Sequence, residues 1–353
     1  MARRRYRLRL IGGWLAIVGT GSFGAQQSPD DAIAFLRHNW RFSAEEIRLL
    51  RQGEPVGKIL DASQDDEIAI LGAIRLGRSK EEFVEWYRNV ENFKQSPLVV
   101  EVGLVGNPPA PAAFSRLTLD ENELKSIRNC RPGLCPLKLD PREIEQFLAG
   151  LDWVAPAAAG QASALARQML LSYVEDYWKR GNAALGFYED KQVRVERAAV
   201  FRALLDASPW LRESFPGLFQ ELREYGGTRP GVTDDFIYWS RERYGFGLKP
   251  LLNLCHVTIR QPKPAVVVIS SKQIRSTHYF DGSLGLIVAI DAPDSTAGSK
   301  ECYMIYVNRS RVDLLRGGFW GWKRKLFARR LPGEIRKQLV LIKSGVQGRA
   351  NRP

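Results

Sequence analysis

The sequence is poor in the residues that most often carry catalysis or bind metals. Its 353 residues include only three histidines, four cysteines and three methionines. It also lacks the G-x-S-x-G, Walker A, G-x-G-x-x-G and H-E-x-x-H motifs, so no motif-defined hydrolase, nucleotide-binding protein, dehydrogenase or zinc peptidase is indicated. No His-rich segment accompanies the cysteines, and we therefore expect neither a metal site nor a cofactor.

Long uncharged runs are missing as well. The run from Leu10 to Phe23 is short of the roughly 20 residues that a membrane span needs, and it follows five arginines between Arg3 and Arg9. Small residues come next, at Gly24 and Ala25. This order is typical of a signal peptide, so residues 1–25 predict an exported protein, periplasmic or secreted. An uncleaved anchor or a basic N-terminal helix would give the same pattern.

Positive charge is concentrated at the other end of the chain. The formal net charge is +13, and residues 309–353 hold thirteen Lys or Arg against Asp313 and Glu334. Such an end favours an anionic membrane surface or an acidic partner, although a solvated helix face is the simpler interpretation. Export argues against nucleic acid. The residues best suited to a membrane surface are Trp320, Trp322, Lys323, Arg324 and Lys325.

Two of the four cysteines are close in sequence. Cys130 and Cys135 flank a Pro-Gly turn, which in an oxidising compartment predicts a local disulfide. A redox pair or a metal site is the functional alternative, but redox enzymes favour C-x-x-C spacing. Cys255 and Cys302 lie in strand-like apolar runs and are compatible with buried thiols or with a cross-strand bridge.

The hydrophobic pattern predicts an α+β fold. Strand-like segments occur at Val56–Leu60, Glu67–Leu76 and Leu98–Leu104, and a stronger group covers 255–307, where Asp281-Gly282 suggests a hairpin turn. Helix-start signals include Ser43 with Glu46, Ser79 with Glu82, Thr118 with Glu121, and Asp140 before Pro141. Residues 141–247 read as helical, including a helix over Thr233–Tyr244. A basic C-terminal helix follows, which Pro332-Gly333 should kink or break.

These elements define the expected organisation. Residues 1–25 form the leader, 26–140 an N-terminal α+β part, 141–247 a helical insertion, 248–345 a meander with the C-terminal helix, and 346–353 a disordered tail. We expect a curved antiparallel sheet closed by the C-terminal helix, with the helical block as a large insertion.

The order of elements resembles the START-like helix-grip superfamily. Glu54–Leu76 with the helix Lys80–Phe93 is similar to the early part of that fold, and His256–Val307 with Asp313–Lys343 is similar to its meander and closing helix. The chain also resembles uncharacterised secreted bacterial proteins with a C-x-P-G-x-C turn. The superfamily resemblance implies a lipid or another apolar ligand, without catalysis, in a cavity between sheet and C-terminal helix. Its expected lining is Ile274, Ser276, His278, Phe280, Trp86 and Tyr87.

An enzyme remains the alternative. His256 and His278 lie on predicted strands of the same meander, and a histidine with a carboxylate partner can act as a general base. Asp234-Asp235 could supply that carboxylate. In this hypothesis the protein is a cyclase-like or hydrolytic enzyme, and a third hypothesis makes it a peripheral membrane or scaffold protein acting through its basic end.

Overall fold

The structure is a computed structural model that describes residues 31–94, 96–226, 234–244, 247–294, 300–316 and 321–349. Within the last range, the side chains of 321–328 and 349 are not described. The expected leader at residues 1–25 lies outside the described residues, as do residues 350–353 of the expected tail. Residues 346–349, which were expected to be disordered, belong to the C-terminal helix, and Val346 is buried.

Helices and strands alternate in blocks along the described chain. The helices are α1 (Ala32–Trp40), α2 (Ala44–Arg51), α3 (Lys80–Arg88), α4 (Val90–Phe93), α5 (Glu121–Arg128), α6 (Pro141–Ala149), α7 (Ala158–Arg180), α8 (Arg197–Asp206), α9 (Pro209–Ser214), α10 (Pro216–Arg223) and α11 (Gly321–Arg349). The strands are β1 (Val56–Ile59), β2 (Glu67–Arg75), β3 (Val99–Val105), β4 (Phe187–Tyr188), β5 (Val195–Glu196), β6 (Asp234–Glu242), β7 (Leu251–Lys263), β8 (Val266–Ser276), β9 (Phe280–Asp291) and β10 (Cys302–Val312).

Eight of these strands form one antiparallel sheet. Their order is β1-β2-β10-β9-β8-β7-β6-β3, while β4 and β5 pair separately. The consecutive strands β6 to β10 form a meander, and the early strands join it at both ends. The α+β class is therefore confirmed, as is a C-terminal helix packed against the sheet, and the sheet is not a closed barrel.

Both faces of the sheet are buried, because helices cover each side. Along β9, Leu286 and Val288 join the core formed with α8 to α10, whereas Ile287 and Ala289 join the core formed with α3 and α11. This alternation follows from the two-residue period of a strand. We call the first side the α7 face, because α7 also packs there, and the second side the α11 face.

Close packing fixes α11 over one end of the sheet. A Cβ added to Gly72 of β2 would lie 2.9 Å from Ile335 Cγ2 and 3.1 Å from Leu339 Cδ1. Glycine therefore lets the helix approach the strand. At the opposite edge, α4 contacts β3 and also contacts α11. The helices of the α11 face thus extend from one sheet edge to the other.

Several local expectations are wrong. Thr233–Tyr244 is not a helix, since residues from Asp234 form strand β6, where Ile237 and Trp239 face one core and Tyr238 faces the other. The turn after β8 falls at residues 277–279, with φ of 60° at Tyr279, and not at Asp281-Gly282. The helix α11 continues through Pro332, so the expected break is absent, while the expected kink stays a prediction.

The helix starts are mostly as expected. Capping boxes are present at Ser43, Ser79 and Asp140. The box expected at Thr118 is formed instead by Asp120 with Glu123, because the first turn begins two residues later. Among the described helices, none combines the length and apolar character of a membrane span.

Candidate functional site

A row of small polar residues crosses the middle of the α11 face. It contains one or two residues from each of five neighbouring strands, and we call it the polar row: Ser240, Asn253, Gln273, Ser271, Gly285 and Asn308. The strand register places Ser240 opposite Asn253, Ser271 opposite Gly285, and Gly285 opposite Asn308. Cross-strand partners project from the same face of a sheet, so these residues form one continuous surface.

The polar row is partly buried by the fold. Ser240 is 0% exposed and Asn253 is 3% exposed, and the remaining members are buried or half-buried. Gln273 Nε2 donates to Asn253 Oδ1 at 2.8 Å, and Asn308 Nδ2 donates to Ser283 Oγ at 3.0 Å. Gln273 Oε1 is buried and accepts no hydrogen bond. One acceptor in the row is therefore unused.

Gly285 is the one position of the polar row that carries no side chain. A Cβ added there would meet Tyr306 Cε2 at 3.4 Å, Asn308 Nδ2 at 3.7 Å and Ser271 Cβ at 3.7 Å. All three nearest atoms belong to neighbouring strands, at ordinary contact distances. Gly72 differs, because side chains of α11 occupy the space above it. A methyl group would therefore fit at Gly285 in contact with the neighbouring strands, whereas at Gly72 the side chains of α11 leave no room for it.

An ion pair closes one end of the polar row. Lys94, just after α4, donates from Nζ to Glu242 Oε1 at 2.5 Å. Tyr244 OH and Ser240 Oγ donate to the same carboxylate at 2.5 and 2.7 Å. Burial alone would raise the pKa of Glu242, but the charge of Lys94 and these hydrogen bonds outweigh burial and lower it to about 2. Glu242 is thus ionised at neutral pH.

Tyrosines and one thiol surround this ion pair. Burial, reinforced by the charge of Glu242, raises the pKa of Tyr306 on β10 and of Tyr244 after β6. Burial also raises the pKa of Cys255 on β7 to about 11, so the thiol is neutral at physiological pH. These neutral groups can exchange hydrogen bonds, but a thiol in this state is a poor nucleophile.

Apolar side chains continue the α11 face beyond the polar row. Val257, Ile269, Ile287 and Met304 lie in one buried cluster with residues of α3 and α11. Tyr87 of α3 belongs to this cluster and stacks on Phe93 at 4.1 Å. The face is thus apolar at one end and polar at the other.

The cavity residues predicted from the sequence are divided between different surroundings. Trp86 and Tyr87 do lie on the α11 face, where Trp86 is near Gly345 of α11. Ile274 belongs to the core on the α7 face. Ser276 is fully buried and donates to His278 O at 2.9 Å. The structure therefore does not bring these residues together into one site.

Phe280 lies beside the candidate site. It begins β9, and its ring centroid is 6.1 Å from that of Tyr244. The members of the site that sequence reasoning missed are the serine, asparagine and glutamine positions of the polar row. Their signal was present as polar residues at alternate positions inside strands rich in valine and isoleucine.

His256 lies on the α7 face, on the other side of the sheet from the polar row. Its Nε2 is hydrogen-bonded to Asp235 Oδ1, and its Nδ1 lies 2.9 Å from Tyr177 OH. Lys272 Nζ is in turn 3.3 Å from that hydroxyl. The carboxylate proposed as a partner is therefore in place. His256 is only 3% exposed, and the rings of Trp178 and Tyr225 lie near it.

His278 occupies a separate place, in the turn after β8. Burial and then the positive charge of Lys249 lower its pKa to about 4, so it is neutral at physiological pH. A second buried cluster lies beside this turn: Lys138 Nζ is 2.7 Å from Asp281 Oδ1 and 2.9 Å from Asp313 Oδ2. The two histidines do not share one site.

The remaining predicted site residues have different outcomes. The disulfide between Cys130 and Cys135 is present. The turn between the two cysteines is hydrogen-bonded to the segment that follows β4, because Gly133 N donates to Glu189 O at 2.7 Å. Cys255 and Cys302 are buried free thiols. The expected membrane-surface residues Trp320, Trp322, Lys323, Arg324 and Lys325 lie outside the described residues and side chains.

A groove of the described surface lies away from the polar row. It has a volume of about 500 Å³ and lies between α7 and residues 111–115. Among the described residues, no group of three or more His, Cys, Asp or Glu is arranged to hold a metal ion. No family model matches this chain, and no curated protein matches it either.

Proposed function

We propose that this protein binds a small organic molecule on the α11 face, with its polar head on the polar row and its apolar part towards α3 and α11. The observation that carries this proposal is the partly buried polar row, in which the buried acceptor Gln273 Oε1 has no donor and Gly285 carries no side chain. A sheet that is covered by helices on both faces normally carries apolar side chains on both. A strip of polar side chains across five strands therefore needs an explanation.

The simplest alternative explanation is that the strip is polar because it faces solvent. At the β6 and β7 end of the row burial argues against it, since Ser240 is 0% exposed, Asn253 3% and the adjoining Glu242 5%, while Ser271, Gln273 and Asn308 are half-buried. Buried polar groups cost free energy unless they are satisfied, and Gln273 Oε1 is unsatisfied. A ligand that supplies the missing hydrogen bond accounts for both facts.

The apolar half of the face supports an amphiphilic molecule. Val257, Ile269 and Ile287 adjoin the polar row along the same strands. Small-molecule sites commonly combine such apolar surface with a few convergent polar groups. The expectation of an apolar ligand between sheet and C-terminal helix is thereby kept, with a polar head added.

The test compares wild type with Gly285→Val. A valine here adds bulk over the middle of the row, at a position where a Cβ makes ordinary contacts, and its β-branched side chain suits a strand; urea unfolding checks that the fold is kept. Native mass spectrometry and solvent extraction of the purified full chain should reveal a bound molecule in wild type and none in the variant. Gly160→Val is the control, because nothing lies within 4 Å of a Cβ at that exposed helix position.

The outcome of this comparison is decisive in either direction. If wild type is free of small molecules and takes up no amphiphile on incubation, the proposal is wrong. If Gly285→Val retains the same occupancy as wild type and as Gly160→Val, the ligand lies elsewhere and the polar row is not its site.

A second proposal concerns the outer side of α11. Val340 and Leu341 are 46% and 48% exposed, and they follow the exposed residues Arg336 and Lys337. Exposed aliphatic side chains among basic ones suit an anionic membrane surface. Flotation with anionic liposomes should recover the protein at low salt. Recovery from neutral liposomes, or no loss on changing Val340 and Leu341 to serine, would contradict this proposal.

A further inference from the structure

We infer that the head of the ligand is uncharged and bears hydroxyl or amide groups, as in a glycoside; this inference rests on the proposed function. The argument begins with charge. The ion pair that closes the polar row is already neutral, because Glu242 is bound by Lys94 at 2.5 Å. All three donors to Glu242 come from the protein itself. Neither charge of the pair is available to a ligand.

The charged groups at the other end of the site are also paired. Asp281 lies two residues before Ser283 on β9, and it is bound by Lys138 and by Arg316. Members of the polar row itself carry no charge: they are serine, asparagine, glutamine and glycine. A carboxylate, sulfate, phosphate or ammonium head would therefore lose its hydration and meet no free counter-charge among the described residues.

The polar row instead offers neutral hydrogen bonds. Gln273 Oε1 is a buried acceptor with no donor, so a ligand O–H or N–H would satisfy it. The hydroxyl of Ser271 and the amide of Asn308 can both donate and accept, and they flank Gly285, which carries no side chain. The Asn308 amide is bonded to Ser283 and Ser310 and keeps one further N–H and one further lone pair. A head with several hydroxyl groups matches this set better than a head with one strong charge.

Aromatic rings complete the match. Of the atoms around a Cβ built on Gly285, the nearest belongs to the Tyr306 ring. The pKa values of Tyr306 and Tyr244 are both raised, first by burial and then by the charge of Glu242. Both phenols are therefore neutral and protonated. A neutral tyrosine gives apolar ring surface together with one hydroxyl, which suits the alternating C–H and O–H groups of a sugar ring.

The experiment uses three amphiphiles with the same octyl chain, below their critical micelle concentrations: octyl glucoside, octyl sulfate and octyltrimethylammonium. Their dissociation constants for the full chain are measured by titration calorimetry, with wild type, Gly285→Val and Gln273→Met. We expect octyl glucoside to bind at least tenfold more tightly than either charged probe. Gln273→Met, which removes the acceptor at similar volume, should weaken only the glucoside.

The outcomes separate this inference from the proposed function. If a charged probe binds as tightly as the glucoside and Gly285→Val abolishes both, the site exists but its head group is not neutral, and only the inference fails. If Gly285→Val leaves the binding of every probe unchanged, or if no probe binds wild type, the proposed site fails and the inference fails with it.

Discussion

The ion pair of Lys94 and Glu242 gives the sharpest energetic prediction. The pKa of Glu242 falls from 4.5 to about 2 in the folded protein. One pKa unit corresponds to about 1.4 kcal/mol, so ionised Glu242 contributes on the order of 3 kcal/mol to folding. Its folded pKa is depressed, so this contribution is fully present above about pH 4.5 and is lost as the pH falls towards 2.

The perturbation is Glu242→Gln. It removes the charge, leaves Lys94 without its partner, and should lower the free energy of unfolding at pH 7 by about 3 kcal/mol. Lys94→Met alone should lower the free energy of unfolding by a similar amount, because it leaves the carboxylate of Glu242 buried without its counter-charge. The double variant should cost clearly less than the sum of the two single variants, since both charges are removed together.

Urea unfolding at pH 7 and at pH 3 measures these quantities. Between those pH values, wild type should lose more stability than Glu242→Gln, since the variant lacks the titrating group. A cost below about 1 kcal/mol for Glu242→Gln at pH 7, or strict additivity in the double variant, would refute the reasoning. The inference that the pair of Lys94 and Glu242 leaves no charge available to a ligand would then be wrong as well.

Three further predictions concern other parts of the fold. His278 has a folded pKa of about 4, below its ordinary 6.5, so wild type should lose up to about 3 kcal/mol of stability as the pH falls from 6.5 to 4. Chemical unfolding of His278→Gln should show no such loss, and an equal dependence of stability on pH in the two proteins would contradict this. Gly72→Val should destabilise by roughly 1–3 kcal/mol in thermal unfolding, because a Cβ would lie 3.1 Å from Leu339; an unchanged melting temperature would be against it. Tyr177→Phe removes the hydroxyl 2.9 Å from His256 Nδ1 and should cost about 1–3 kcal/mol by urea unfolding, whereas no cost would show that this contact adds nothing.

Local chemistry made much of the fold predictable. The capping pairs at Ser43 and Ser79 specify helix starts within a few residues, and the valine-rich segments from residue 255 specify strands. Pairing of Cys130 with Cys135 follows from their spacing around a tight turn. These features depend on neighbours in sequence, so the sequence is enough to indicate them.

The rest depended on contacts that are distant in sequence. Residues 234–242 form a strand because they pair with β7 and β3, and their local pattern alone does not distinguish this from a helix. The turn lies at Tyr279 and not at Asp281-Gly282, because Gly282 pairs with Arg311 of β10 inside strand β9.

The candidate site was predictable only in outline. A binding surface between sheet and C-terminal helix was expected, and Tyr87 lies on that face. Ile274 was assigned to the wrong face, because the direction of a strand's side chains cannot be read without its register. The polar row is assembled from five strands, and it becomes visible only when their register is known.

The central claim is that the polar row binds the head of a ligand at Gly285. The most direct test is the dissociation constant of octyl glucoside for wild type and for Gly285→Val, measured alongside their stabilities. The account predicts that binding is lost in the variant while the variant remains folded, because a Cβ at this position makes ordinary contacts with the neighbouring strands. Equal binding by two equally stable proteins would contradict it.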